Sequence, residues 1–211
     1  MKNFIWIGAI VIVLIGLMFW GVRGTSIEPP FELNAVHPLD NVKGKADSLV
    51  VVIEYSDFQC SACRTYYLAM REMTVEFGDK VAFVYRHFPL TGIHANAELA
   101  SRAAQAAGKQ GKFWEMHDLL FEKQDEWAKV ADIEPVFDSY VTLLGISVEQ
   151  FKIDFRSKEI RDFVRAQRTH ALKSGLQGTP TFFVNGEQID NPNSAEGFRV
   201  IISDAIKSKV Q

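Results

Sequence analysis

The sequence predicts an α/β fold with an all-helical insertion, preceded by one N-terminal transmembrane helix. Three observations carry this expectation. Phe4 to Val22 runs without a charged residue; two β-branched apolar runs flank a helix-patterned segment between Leu49 and Phe88; and helical spacing from about residue 91 to 176 precedes a hairpin signal and a last helix.

The first run reads as a membrane helix, because at ~1.5 Å rise per residue it matches a hydrocarbon core of about 30 Å. Trp6 and Trp20 stand near its ends, where amphipathic rings prefer the headgroup level. Lys2 and the terminal amine favour a cytoplasmic tail over residues 1–3, with Arg23 on the far side opposing them. A cleaved signal peptide is the alternative, but its apolar region usually spans about 7 to 15 residues and ends at a small-residue site. Val22-Arg23-Gly24 is a poor one. The expectation is an uncleaved single-pass anchor over residues 4–22 in the cell membrane, with the rest of the chain on the extracytoplasmic side, where disulfides persist.

Residues 23–47, with Pro29, Pro30, Pro38 and Gly44 and little periodicity, read as a linker, leaving a packed domain over residues 48–211. A short edge strand over Phe31 to Val36 is the weaker alternative for part of that stretch. Leu49 to Tyr55 is nearly continuous in apolar character, as expected of a central strand covered on both faces. Arg64 to Phe77 shows helical spacing through Tyr67, Met70 and Met73, stopped by Gly78. Val81 to Phe88 is a second strand ended by Pro89, and strand, helix, strand in this order suggests parallel pairing through a crossover. The helical insertion follows, punctuated by Gly108, Gly111, Gly145 and Gly175. Thr181 to Asn185 and Glu187 to Asp190 form strands joined by the hairpin signal Asn185-Gly186, and Ser194 caps a last helix to about Lys207.

At 211 residues, 47% hydrophobic and 23% charged, the chain has material for one substantial core. Its net charge of −3 supplies no basic field, which argues against a nucleic-acid partner.

Cys60 and Cys63, the only two cysteines, follow directly on the first strand in Phe58-Gln59-Cys60-Ser61-Ala62-Cys63-Arg64. With a helix opening near Cys60, its sulfur sits at a helix N-terminus, where free N–H groups and the positive dipole end stabilise a thiolate. Such placement lowers a cysteine pKa from about 8.5 into the range of roughly 3.5 to 7.5, and the thiolate is the species that attacks disulfides. Cys63 lies one turn on, within bridging distance. The same spacing occurs in zinc sites and inert disulfides. Structural zinc needs four ligands, however, and no second cysteine pair exists, while His37, His87, His94, His117 and His170 lack ligand spacing, so no metal is expected. An inert bridge would close too short a loop to stabilise a fold much.

Glu54 to Cys63, the strand ending at Pro89, His94-Ala95-Asn96, Lys112-Phe113-Trp114 and Gly178 to Phe183 together resemble the thioredoxin superfamily. The resemblance is strongest to its DsbA-like branch with a helical insertion and covers roughly residues 40 to 210. It implies a thioredoxin fold, with Cys60 as the exposed nucleophile and Cys63 as the shielded resolving cysteine of a redox disulfide. It makes Pro180 a cis-proline facing the cysteines, the alternative being an ordinary trans proline opening a strand. Thr179, Ser61 and Ala62 become substrate-binding residues, Thr179 through its backbone. Glu54 matches the buried acid of the superfamily, raised in pKa by burial and able to take and return the proton of Cys63; the alternative is a glutamate facing water. Asp57 and Arg64 read as solvated, with Arg64 also a candidate to stabilise the Cys60 thiolate. His87 and His94 read as helix-capping or surface histidines. Phe58, Tyr66 and Phe182 are placed in the core in preference to an apolar rim for unfolded polypeptide.

The resemblance further implies an oxidoreductase that donates the Cys60–Cys63 disulfide to unfolded or reduced exported proteins. A quinone-linked membrane reoxidase of the DsbB or VKOR type would be its partner, and no cofactor is needed beyond the disulfide itself. The sequence departs from the strongly oxidising members, which carry proline and histidine between their cysteines, by having Ser61-Ala62 there. An extracytoplasmic reductase therefore stays open, as do a non-catalytic membrane-tethered polypeptide-binding module and a tethered metal-delivery protein.

Overall fold

The computed structural model describes residues 31–210. The expected anchor and cytoplasmic tail lie outside them; among the described residues no helix is long and apolar enough to cross a membrane. In chain order the elements are β1 (Asn41–Gly44), β2 (Val50–Ser56), α1 (Ser61–Phe77), β3 (Val81–His87), α2 (Ala97–Gly108), α3 (Phe113–Glu122), α4 (Gln124–Trp127), α5 (Glu134–Leu143), α6 (Val148–Arg156), α7 (Lys158–Lys173), β4 (Thr181–Val184), β5 (Glu187–Ile189) and α8 (Ala195–Val210). The strands form one sheet in the order β1-β3-β2-β4-β5. β2 and β3 are parallel, as the crossover suggests, and every other pairing is antiparallel.

β2 reads Val-Val-Val-Ile-Glu-Tyr-Ser and is buried throughout because helices cover both of its faces. Val50 and Val52 pack with Met70 and Met73 of α1 and Phe198 and Ile202 of α8. Val51, Ile53 and Tyr55 face the other way, toward Ala171 and Leu176. A third cluster joins the insertion to the redox segment, with Phe58, Cys63, Tyr67 and Tyr85 packed among Phe113, Leu120, Trp127 and Phe137. Ser147 and Ser157 cap α6 and α7, each hydroxyl accepting a backbone N–H at 3.2 Å. Asn185 and Gly186 take φ of 49° and 89°, the positive values that a two-residue hairpin turn requires.

The boundary of the packed domain differs from the expected one at residue 48. Phe31, the first described residue, is already buried, and the edge strand lies at Asn41–Gly44 within the expected linker, not at residues 31–36. The reason is Arg86. Wholly buried, its guanidinium donates to both carboxylate oxygens of Asp40 (2.9 and 2.7 Å), to the carbonyls of Glu32 (2.6 Å) and Ala35 (3.1 Å), and to the Tyr55 hydroxyl (3.1 Å). A short, half-exposed strand held by a distant arginine leaves no periodic trace in a sequence.

Candidate redox site

β2 ends at Ser56, and the chain turns through residues 57–60 into α1, with Cys60 as the residue that precedes the first helical turn. Cys60 has extended geometry (φ −73°, ψ 124°). Its thiol is nearly covered, not exposed as the resemblance implies, because the loop carrying Thr179 packs against it, and it donates to the Thr179 carbonyl at 3.6 Å. The Thr179–Pro180 bond is cis, and Pro180 is buried. Ser61 and Ala62 are exposed beside the sulfur, and Cys63 is fully buried one turn deeper. Cys60, Cys63, Thr179 and Pro180 thus meet at one place, between the start of α1 and the loop leading into β4.

The two thiols have opposite acidities. Cys60 is lowered to about 5, first by a hydrogen bond from Cys63 and then by the backbone N–H groups of Cys63 and Ala62 at the helix start, against the opposing effect of burial. Cys63 is pushed well above the usual thiol range, chiefly by burial and then by its proximity to the Cys60 sulfur. Of the two, Cys60 is the thiolate at neutral pH.

Glu54 is buried in the middle of β2, directly across from Tyr85 of β3, and burial raises its carboxyl to about 7. Ser56 lies two residues on, on the same face of the strand. Its hydroxyl is close to Glu54, Cys63 and Tyr85, without a properly aligned hydrogen bond to any of them. Glu54 Oε1, Ser56 Oγ and Tyr85 OH are all buried and unpartnered. A cavity of about 30 Å³, room for one or two water molecules, is lined by Glu54, Tyr85, Tyr67, His117, Asp118 and Lys43.

Several residues stand elsewhere than the sequence suggested. Asp57 is not solvated: fully buried, its carboxylate accepts from the Gln59 N–H (2.7 Å), the Leu90 N–H (2.8 Å) and the His94 ring (2.8 Å). His94 is accordingly a partner of Asp57 and not a cap. His87 is fully buried against Gln105 and lowered to about 4 by burial. The Arg64 guanidinium bridges to Asp125 at 2.7 Å and makes no hydrogen bond to the Cys60 sulfur. Phe58 and Phe182, by contrast, are core residues as expected, and Tyr66, half-buried, packs on Phe182 and Phe198.

The insertion supplies contacts that the sequence did not reveal. Gln124 of α4 donates to the carbonyls of Phe58 (2.7 Å) and Cys60 (3.1 Å). Gln59 donates to the Ala128 carbonyl (2.7 Å) and accepts from the Asn96 N–H (2.7 Å). Buried glutamine and asparagine are the one available sequence signal for such links, and nothing in a single sequence names their partners.

The chain is similar to known proteins. The family model described as Thioredoxin matches residues 37–204. Among curated relatives, the Na(+)/H(+) antiporter NhaA 3 of Salinispora tropica is 37% identical over 169 residues, covering 80% of this chain and 25% of the relative. The Na(+)/H(+) antiporter NhaA 1 of Mycolicibacterium vanbaalenii is also 37% identical, over 171 residues, 77% of this chain and 27% of the relative. The chain therefore spans about a quarter of the length of these curated relatives. Among solved structures, alpha-DsbA1 of Wolbachia pipientis superposes with a TM-score of 0.74 at 18% identity, covering 84% of this chain and 96% of that one. Oxidised BdbD of Bacillus subtilis gives 0.68 at 24% identity, with 80% and 93% covered.

Proposed function

The chain belongs to the thioredoxin family, in the DsbA-like form of its fold, and we propose that it is a thiol-disulfide oxidoreductase donating the Cys60–Cys63 disulfide to cysteines of exported proteins. The observation that carries this reading is the placement of two cysteines three residues apart, the outer one preceding the first turn of α1 beside the Thr179 carbonyl and the inner one fully buried. The lowered pKa of the first and the raised pKa of the second are in keeping with that placement.

A substrate thiolate attacks Cys60 Sγ, the Cys60–Cys63 bond breaks, and a mixed disulfide forms. Cys63 leaves as a thiolate and takes a proton from the neutral Glu54 carboxyl, which burial holds protonated to about pH 7. A second substrate thiolate attacks the substrate sulfur of the mixed disulfide, and Cys60 departs as the stable thiolate. The substrate has lost two electrons and gained a disulfide; the protein holds the dithiol, with Glu54 reprotonated from water. The peptide groups around Thr179, with Ser61 and Ala62 exposed nearby, offer the edge along which an extended substrate pairs.

Reoxidation is assigned to a quinone-linked membrane partner of the DsbB or VKOR type, and the apolar run over residues 4–22 to a membrane anchor with the domain outside the cytoplasm. The curated relatives support a membrane setting, since the matched segment there is part of proteins named for Na(+)/H(+) exchange.

The test is the reduction potential of the pair in the full chain, by equilibration with glutathione buffers. A value between about −120 and −180 mV is expected of a disulfide donor, and one near about −270 mV replaces the donor with a reductase. A pair that never equilibrates leaves only a binding module.

A further inference from the structure

We propose that Gln124, in the helical insertion, is a positioning residue for Cys60, holding the carbonyl of the nucleophile and that of Phe58, two residues before it, so that the first N–H groups of α1 face its sulfur. The inference rests on the exchange reading above, which makes Cys60 the nucleophile.

Gln124 Nε2 has two N–H groups, and it donates to two carbonyls, those of Phe58 and Cys60. The side chain is 5% exposed, so water does not compete for either bond. The Cys60 carbonyl is also the first acceptor of α1, from the Arg64 N–H at 3.2 Å. Fixing that carbonyl fixes the peptide plane that follows Cys60, and with it the extended ψ of 124° from which the helix must start one residue later. The N–H groups of Ala62 and Cys63 then point back at Sγ, where they favour the thiolate. Neither carbonyl can turn its negative end toward the sulfur while both are engaged by the amide.

Residue type matters here. A glutamate would set acceptors against acceptors, and a methionine of similar length would fill the space with no donor at all. The surrounding residues serve the same end from the same short segment: the Ala128 carbonyl receives the Gln59 amide, and Asp125 holds Arg64 from the solvent side. Of these, only Gln124 bonds to the backbone of the nucleophile itself.

The experiment compares the full chain with Gln124→Met, both reduced, by the pH dependence of Cys60 alkylation, with circular dichroism to establish that the variant is folded. Loss of both donors is expected to raise the proton affinity of the Cys60 thiolate about tenfold, one pKa unit. The same tenfold change makes the pair more reducing by about 30 mV. Asp125→Ala, which removes the exposed bridge to Arg64, is expected to shift the titration less than about twofold. A folded Gln124→Met that titrates like the parent overturns the proposal. Should that variant fail to fold, Gln124→Asn, one methylene too short to reach both carbonyls, takes its place, and an unshifted titration there overturns it equally. Failure of the exchange reading is seen separately, in a parent whose cysteines never equilibrate with glutathione.

Discussion

Around Cys60 most polar groups are answered: the Asp57 carboxylate takes three donors, Gln59 is bonded at both ends of its amide, and Gln124 occupies the carbonyls of Phe58 and Cys60, although Thr179 Oγ1 is buried and unpartnered. One helical turn deeper, around Cys63, they are not, and Glu54 Oε1, Ser56 Oγ and Tyr85 OH lie buried without partners. The saturated side fixes geometry, because an atom with its hydrogen bonds satisfied has no reason to move. The unsaturated side leaves acceptors and donors free to receive and release a proton, at a cost in stability. One disulfide therefore joins a sulfur held as a thiolate to a sulfur held as a thiol.

Breaking the comparison at its outer end has the largest effect. Cys60→Ser is expected to reduce exchange with a peptide disulfide to background, while Cys63→Ser still performs the first attack and accumulates mixed disulfides, seen as higher-mass bands on non-reducing gels. Equal amounts of trapped species in the two variants would contradict the assignment of nucleophile and resolving cysteine.

The next effect belongs to Glu54. Its carboxyl is raised to about 7, so the folded protein holds a proton there that the unfolded chain has released. Relative to the unfolded chain, that group contributes nothing adverse below about pH 4.5 and its full penalty above about pH 7, roughly 3 kcal/mol. Glu54→Gln is thus expected to remove most of the loss of stability between pH 4.5 and 8, as urea unfolding would measure, while slowing formation of the mixed disulfide, the step in which Cys63 departs, by about 100-fold at neutral pH. A variant with the parent's pH profile in both readouts would place the buried acid outside the proton path.

Tyr85→Phe sharpens the comparison most gently. Removing an unpartnered buried hydroxyl changes stability by no more than about 1 kcal/mol and in the stabilising direction, since no bond is lost. If unfolding shows a loss well beyond that, the hydroxyl has a partner in solution and the inner side is less open than described.

How much of this was legible in the sequence follows from the range of each interaction. The apolar run of β2, the helical spacing of α1 and the Asn185-Gly186 turn are local patterns; the strands lie within a residue of their expected places, and α1 ends at Phe77 as expected but starts three residues ahead of its periodic stretch. Cys60, Cys63 and Glu54 were visible because residue type and spacing are themselves the chemistry. Asp57 was not, since its burial depends on Leu90 and His94, more than thirty positions away. Gln124 is farther still, 64 residues from Cys60, and polar residues in a helical insertion carry no mark of the backbone they bind.

The buried pair of Arg86 and Asp40 has a practical side. A shortened chain starting at residue 48, where the sequence suggests the fold begins, would lack Asp40 and the carbonyls of Glu32 and Ala35, leaving a guanidinium in the interior with only Tyr55 to meet it. An uncompensated interior charge of that kind destabilises by about 3 to 5 kcal/mol, enough to abolish a marginal fold. Any fragment made for crystallisation or redox titration has to begin ahead of Phe31, and a protease that trims the chain past Asp40 would inactivate the domain without touching its cysteines.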